Sequence, residues 1–143
     1  MQTAIGSGSR AFSVQSMGVR VLLLSDVHGG RTAHRLACCG SHVDVEETLE
    51  LALTRLRQDS MGYDLFVMDC DGYGGLSGGE LAVSSLIAAQ AKMRVMLVSR
   101  DFDEPALPFG RRTAVCLPTG VGDEDFRRGF DHVLRDRMPA TVN

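Results

Sequence analysis

The sequence contains almost no lysine. Lys92 is the only lysine among the 15 basic side chains of the 143-residue chain, and all the others are arginines. The codon usage of a GC-rich genome accounts for this skew at least as well as function does. A mechanism that needs an ammonium group nevertheless has one candidate only.

Several other features are absent from the chain. None of its four cysteines forms a Cys-x-x-Cys pair, so neither a disulfide framework nor a zinc site is indicated. No apolar run approaches the roughly 18–20 residues of a membrane span, and the first residues lack the pattern of a signal peptide. The net charge of −3 gives no basic surface for nucleic acid or an anionic membrane. We therefore expect a cytoplasmic protein that binds neither.

The length is that of one domain, since domains cluster around 100–150 residues. Residues 1–18 are rich in Gly, Ser and Gln and are predicted to form a flexible N-terminal leader. The periodic part of the chain predicts a folded domain over residues 19–138. Residues 139–143 are left as a C-terminal tail.

Near-continuous apolar runs recur along this domain, as expected of parallel strands covered on both faces. They predict strands over residues 19–24, 63–68, 93–98 and 113–117, with a shorter strand over 42–45. Apolar residues at helical spacing predict helices over residues 31–39, 46–58, 77–91 and 123–137. Ser77 and Glu80 have the spacing of a capping box at the start of the third helix. Residues 101–112 show no clear helical pattern.

Strands that alternate with helices indicate a parallel sheet built by right-handed crossovers. Five strands and five helices in a chain of this length predict an α/β fold: a single domain with a flavodoxin-like, doubly wound, five-stranded parallel sheet. Ligands of such sheets bind at the carboxyl ends of the strands. The residues at those ends are therefore the candidates for function.

Polar side chains follow three of the strong strands, namely Asp26, Asp69 and Ser99. An Asp after a strand is by itself more often a turn former or a helix cap. A pair of carboxylates at one edge of a sheet repels unless a cation bridges it, and Mg²⁺ prefers oxygen ligands. A carboxylate in such a place can also accept a phosphoryl group. The two Asp residues together therefore support a functional site more strongly than either one does alone.

The ordered set of strands and polar ends over residues 19–137 resembles the receiver domain of two-component response regulators. The resemblance makes Asp69 the phosphoacceptor and Ser99 the switch hydroxyl. It makes Asp26 and Asp69 ligands of Mg²⁺, together with the backbone carbonyl of Asp71. It implies a signalling domain that is not an enzyme, with a protein partner: a histidine kinase, a phosphotransfer protein or another regulator. Receiver-like domains also dimerise, so a homodimer stays open.

The sequence departs from the receiver pattern at charged positions. Ser25 replaces the first acid of the pair that binds the metal. The family's lysine after the last strand is missing from residues 117–120. Lys92 precedes the strand that ends at Ser99, so we expect it at the opposite edge of the sheet. Arg100 comes from a different loop, and a guanidinium is not an equivalent point charge.

Further departures affect the parts of a receiver that transmit the signal. Residues 73–75 stand where the family has a proline, and the aromatic switch position falls near Val115 or Cys116. The helix expected within residues 101–112 is eroded. We therefore expect a stand-alone atypical receiver, or pseudo-receiver, with weak Mg²⁺ binding and weak or absent phosphorylation of Asp69, which acts through protein–protein interaction.

Two alternatives remain. Residues 22–30 also resemble the opening of calcineurin-like metallophosphoesterases, in which an Asp-x-His pair such as Asp26 and His28 binds metal. The later histidine motifs of that family are missing, since the four histidines are dispersed. The other alternative is a ligand-independent interaction or dimerisation module whose contact surface is the region 101–112, with its exposed pair Arg111 and Arg112.

Overall fold

A computed structural model describes residues 18–28, 30–59, 62–89, 93–108 and 114–137. The strands are β1 (Arg20–Leu24), β2 (His42–Glu46), β3 (Leu65–Asp69), β4 (Arg94–Val98) and β5 (Val115–Leu117). The helices are α1 (Gly30–Cys38), α2 (Leu49–Gln58), α3 (Leu76–Ala88) and α4 (Asp123–Arg137), with a short 3-10 turn over Cys70–Tyr73. The predicted leader up to residue 17, the tail, Lys92 and the Arg111–Arg112 pair lie outside the described residues.

The five strands form one parallel sheet in the order β2-β1-β3-β4-β5. This order confirms the predicted flavodoxin-like α/β fold. Strand β3 is central, with Leu24 of β1 paired to Met68 and Val98 of β4 paired to Asp69. Val98 pairs in turn with Leu117 of β5. The carboxyl ends of these four strands consequently meet at one edge.

The core has two layers because successive strand side chains point to opposite faces of the sheet. Val21, Leu23 and Val67 pack on the face that α1 and α4 cover. Leu22 and Phe66 pack on the opposite face, beneath α2 and α3. This double covering explains why the strands have continuous apolar runs, and each fully buried large side chain contributes about 1.5–3 kcal/mol.

Two predicted helix starts are wrong. Helix α2 begins at Leu49, with the Thr48 hydroxyl accepting a hydrogen bond from the Leu51 amide at 3.1 Å, while residue 46 belongs to β2. The capping box is also absent: α3 begins at Leu76, so Ser77 lies inside the helix. The Leu76 amide donates instead to the Asp101 carboxylate at 2.8 Å. A cap from 25 residues away leaves no local sequence pattern.

The predicted number of five helices is too high for the described residues, which contain four α-helices. Between β4 and β5, the described residues 99–108 and 114 form no helix. Ala106 pairs there with Cys116 through two backbone hydrogen bonds of 2.8 and 3.0 Å. Part of the connection therefore runs beside the edge strand β5. None of the described helices is both long and apolar enough to cross a membrane.

Candidate functional site at the carboxyl edge of the sheet

The sheet brings polar residues from four strand ends to one edge. Ser25 and Ser99 are fully buried, Asp69 is half-buried, and Asp26 is exposed. The β4–β5 pairing continues beyond the strands, because the Ser99 amide donates to the Leu117 carbonyl and the Thr119 amide donates to the Ser99 carbonyl. This backbone ladder holds Thr119 beside Ser99.

Asp69 ends the central strand and is half-buried near two other acids. The Thr32 hydroxyl, from the first turn of α1, donates to Asp69 Oδ1 at 2.6 Å. Burial raises the pKa of Asp69, hydrogen bonds from Thr32 and Ser25 oppose that rise, and the charges of Asp26 and Asp71 add to it. The net effect is a raised pKa. Asp69 thus lies among like charges.

Asp26 lies against the 3-10 turn that follows β3. A Cβ atom added at Gly72 would collide with the Asp26 carboxyl group, so the glycine leaves space for that side chain. The next residue, Tyr73, donates its hydroxyl to the Glu47 carbonyl at 2.5 Å. Burial, and then the charges of Asp26, Glu47 and Asp69, raise the pKa of Tyr73 to about 12. The turn therefore lies in the electrostatic field of these three acids.

The Asp71 carboxylate is held by the opposite half of the edge. Its Oδ1 accepts hydrogen bonds from the Ser99 hydroxyl at 3.1 Å and the Arg100 amide at 2.9 Å. Its Oδ2 accepts one from the Thr119 hydroxyl at 2.6 Å and lies 3.5 Å from Arg100 Nε. Burial raises the pKa of Asp71, but these donors lower it by more, so that its pKa falls below the ordinary value. Asp71 is a stabilised anion.

Residues 117–120, where the receiver pattern has a lysine, begin with an apolar side chain. Leu117 is fully buried there and packs in the core beneath α4. Thr119, two residues later, supplies a hydroxyl but no charge. Arg100 does reach the edge, and its guanidinium pairs with Asp71. Lys92, the chain's only lysine, lies outside the described residues.

The oxygen groups of Asp26, Asp69 and the Asp71 backbone have the hard-donor chemistry that Mg²⁺ prefers. Ser25 contributes no charge to this set, and the Asp71 carboxylate is engaged by Ser99, Arg100 and Thr119. In the described part of the chain, no group of three or more His, Cys, Asp or Glu side chains is arranged to hold a metal ion. The residues present thus offer two carboxylates and one backbone carbonyl as oxygen donors for such an ion.

His28, the second residue of the alternative Asp-x-His pair, contacts a different partner. Its Nδ1 lies 3.0 Å from Glu47 Oε2, and its side chain is 84% exposed. Its backbone adopts a left-handed conformation with φ of 57°. The interpretation as a metallophosphoesterase gains no support from this geometry.

Sequence reasoning missed three contributors to the edge. Thr32 lies inside a helix, Asp101 acts as a distant cap, and the Asp71 side chain was overlooked because only its backbone carbonyl has a role in the receiver pattern. One signal was available for Asp71, since it adds a third carboxylate two residues after Asp69, at the edge where the sequence already places two acids.

No protein-family model and no curated protein matches the sequence. Solved receiver structures do match the fold. A response regulator receiver protein from Burkholderia phymatum is 22% identical with a TM-score of 0.59, covering 82% of this chain and 95% of that one. A signal receiver domain from Vibrio parahaemolyticus is 15% identical with a TM-score of 0.61, covering 89% and 98%.

The N-terminal domain of a response regulator/sensory box/GGDEF three-domain protein from Carboxydothermus hydrogenoformans is also similar. It is 21% identical with a TM-score of 0.59, and the match covers 87% of this chain and 99% of that one. The chain therefore has the fold of a response regulator receiver domain, as the sequence predicted.

Proposed function

We propose that this chain is an atypical receiver domain that acts in signal transduction by binding a protein partner, with slow or absent phosphorylation of Asp69. The observation that carries the proposal is the environment of Asp69. This acid ends the central strand as a phosphoacceptor does, but Leu117 is buried where the family has a lysine.

The missing charges affect the transfer step itself. A phosphoryl group arriving at Asp69 brings further negative charge beside Asp26 and Asp71. One preorganised donor at such a place stabilises a transition state by about 3–4 kcal/mol, or roughly 10²–10³ in rate. With Ser25 in place of an acid and no lysine after β5, we expect transfer to be slow.

Mg²⁺ would bind between Asp26, Asp69 and the backbone carbonyl of Asp71. When bound, the ion supplies positive charge that draws the phosphodonor to the edge. Ser25 leaves one negative ligand fewer than in the receiver pattern, so the proposal includes weak binding. Asp69, with its raised pKa, retains the charge repulsion that a cation would relieve.

The proposed partner is a protein, such as a histidine kinase, a phosphotransfer protein or another regulator, in the cytoplasm. The net charge of −3 favours neither nucleic acid nor an anionic membrane. Val27 is exposed directly after Asp26 and gives an apolar contact beside the acids. A second copy of the chain, forming a homodimer, is the other protein partner in this proposal. In this proposal the domain signals and is not an enzyme.

The test is incubation of the full chain with Mg²⁺ and acetyl phosphate, followed by intact mass measurement. We expect a small, slowly formed fraction with one added phosphoryl group, which the Asp69→Ala variant lacks. A typical receiver domain treated in parallel is the control for the donor. Rapid, stoichiometric, acid-labile phosphorylation of Asp69 would refute the proposal.

A further inference from the structure

Three hydrogen-bond donors converge on one carboxylate at the edge of the sheet. They are the Ser99 hydroxyl, the Arg100 amide and the Thr119 hydroxyl, all within 3.1 Å of an Asp71 oxygen. The first two follow β4, and the third follows β5. Such a set, from two neighbouring strand ends, forms a receptor for the oxygens of this carboxylate.

The donors are held in place by contacts of their own. The Asp101 amide donates to the Ser99 hydroxyl at 3.0 Å, so the single hydroxyl proton of Ser99 remains for Asp71. The Thr119 backbone donates to the Ser99 carbonyl at 3.2 Å, which fixes the separation of the two hydroxyl groups. The receptor is therefore shaped by the β4 and β5 ends as well as by Asp71.

A carboxylate and a phosphoryl group both present negatively charged oxygens to such donors. Asp69, the candidate phosphoacceptor, lies only two residues before Asp71, on the same edge. An oxyanion entering this region and the Asp71 side chain would consequently compete for the same three hydrogen atoms. Arg100, with its guanidinium 3.5 Å from Asp71, would attract either one.

We propose that Asp71 is an internal occupant of an oxyanion site formed by Ser99, the Arg100 amide and Thr119. The site binds tetrahedral oxyanions of the phosphoryl class once the Asp71 carboxylate is removed or displaced. The inference rests on the proposed function, since it concerns the same edge. It adds that the Asp71 carboxylate keeps the three donors hydrogen-bonded in the absence of phosphate.

The test is a titration of the full chain with inorganic phosphate at constant ionic strength, followed by amide NMR. Wild type should show little response, whereas Asp71→Ala should show saturable shifts at residues 99, 100 and 119, with affinity higher by at least about tenfold, which is 1.4 kcal/mol. The exposed Asp103→Ala variant, with the same loss of charge elsewhere, should behave as wild type. Equal affinity in wild type and Asp71→Ala, or no binding to either, would overturn the proposal.

Phosphate could bind more tightly to Asp71→Ala because the donors are free or only because a negative charge is lost. The Asp71→Ala/Thr119→Val double variant separates these two causes. It keeps the charge change but lacks one donor, so it should lose most of the gained affinity. If the double variant binds phosphate as tightly as Asp71→Ala, the gain comes from charge alone and the proposed site is wrong.

Wild-type protein offers a second measurement that needs no folded variant. Arg100 is exposed, yet its amide donates to the Asp71 carboxylate, so its hydrogen exchange should be slowed. Exchange at the rate of an unprotected amide would contradict the internal contact. Rapid phosphorylation of Asp69 would refute the proposed function but leave this exchange result standing, so the two failures are distinguishable.

Discussion

The two halves of the candidate site shift the pKa of an aspartate in opposite directions. Asp69, at the end of β3, lies near Asp26 and the buried Ser25, which follow β1. Burial and neighbouring charges raise the pKa of Asp69. On the β4–β5 side, Asp71 receives hydrogen bonds from two hydroxyl groups and an amide, and its pKa is lowered despite burial. The two carboxylates are only two residues apart.

The difference comes from burial and from donors together: burial outweighs the hydrogen bonds from Thr32 and Ser25 at Asp69, whereas the donors outweigh burial at Asp71. The donors that could serve a phosphoryl group on Asp69 are engaged by Asp71, while Asp69 has hydrogen bonds from Thr32 and Ser25. Among the described residues at this edge, the charged Arg100 pairs with Asp71. Four substitutions test this contrast.

The largest effect is expected from Asp71→Ala. It removes the acceptor of three hydrogen bonds and leaves the buried Ser99 hydroxyl without its carboxylate. Since hydrogen bonds to charged groups contribute about 1.5–3 kcal/mol each and partly re-form with water, we expect a loss of about 2–3 kcal/mol. Urea unfolding at pH 7 measures it. Exposed Asp103→Ala should change the free energy of unfolding by less than about 0.5 kcal/mol, and an equal loss in both variants would contradict the contrast.

The contact between Thr119 and Asp71 should appear as a coupling energy. A double-mutant cycle with Thr119→Val and Asp71→Ala is expected to give about 1 kcal/mol, because the 2.6 Å hydrogen bond is made to a charged group. The cycle of Thr119→Val with Asp69→Asn should stay within about 0.5 kcal/mol of additivity. Similar coupling in both cycles would mean that Thr119 serves both acids.

Asp69→Asn should stabilise the protein at neutral pH, by less than Asp71→Ala destabilises it. A carboxyl whose folded pKa exceeds its ordinary value of 3.8 binds protons more tightly when folded, so its charge costs stability as pH rises above that value. The asparagine removes this cost and can still accept the hydrogen bond from Thr32. Thermal unfolding between pH 4 and 7 should show a flatter dependence on pH for the variant. A lower midpoint at pH 7 would argue against crowding at Asp69.

Arg100→Gln should have the smallest effect, below about 0.5 kcal/mol. The guanidinium is 78% exposed and 3.5 Å from Asp71, and exposed ion pairs contribute little. The Arg100 amide, which the substitution keeps, makes the shorter contact. Urea unfolding at low and moderate salt measures the effect, and a loss above 1 kcal/mol would show that side-chain charge, and not the donors, holds Asp71.

The sequence was sufficient for the fold because the strands are buried on both faces and leave long apolar runs, as at residues 20–24 and 65–68. Strand order then put Asp26, Asp69 and Ser99 at one edge. The arrangement within the edge was not predictable in the same way. Contacts such as Thr32 to Asp69 and Thr119 to Asp71 join residues 37 and 48 positions apart, and neither alters local periodicity.

The start of α3 shows the same limit. Ser77 and Glu80 matched a capping box, but the helix begins one residue before Ser77 because Asp101 caps it through space. A side chain at Gly75 would collide with Asp101, so the glycine and its left-handed φ of 72° are part of that contact. The local sequence pattern predicted the helix, but the contact with Asp101 sets its first residue.

The contrast between the acids is tested most directly by a carboxyl-carbon NMR titration of the wild-type chain that follows Asp69 and Asp71 separately. The structure predicts that the pKa of Asp71 lies below the ordinary aspartate value of 3.8 and that the pKa of Asp69 lies above it. Coincident midpoints, or a higher midpoint for Asp71, would contradict the assignment of the donors to Asp71.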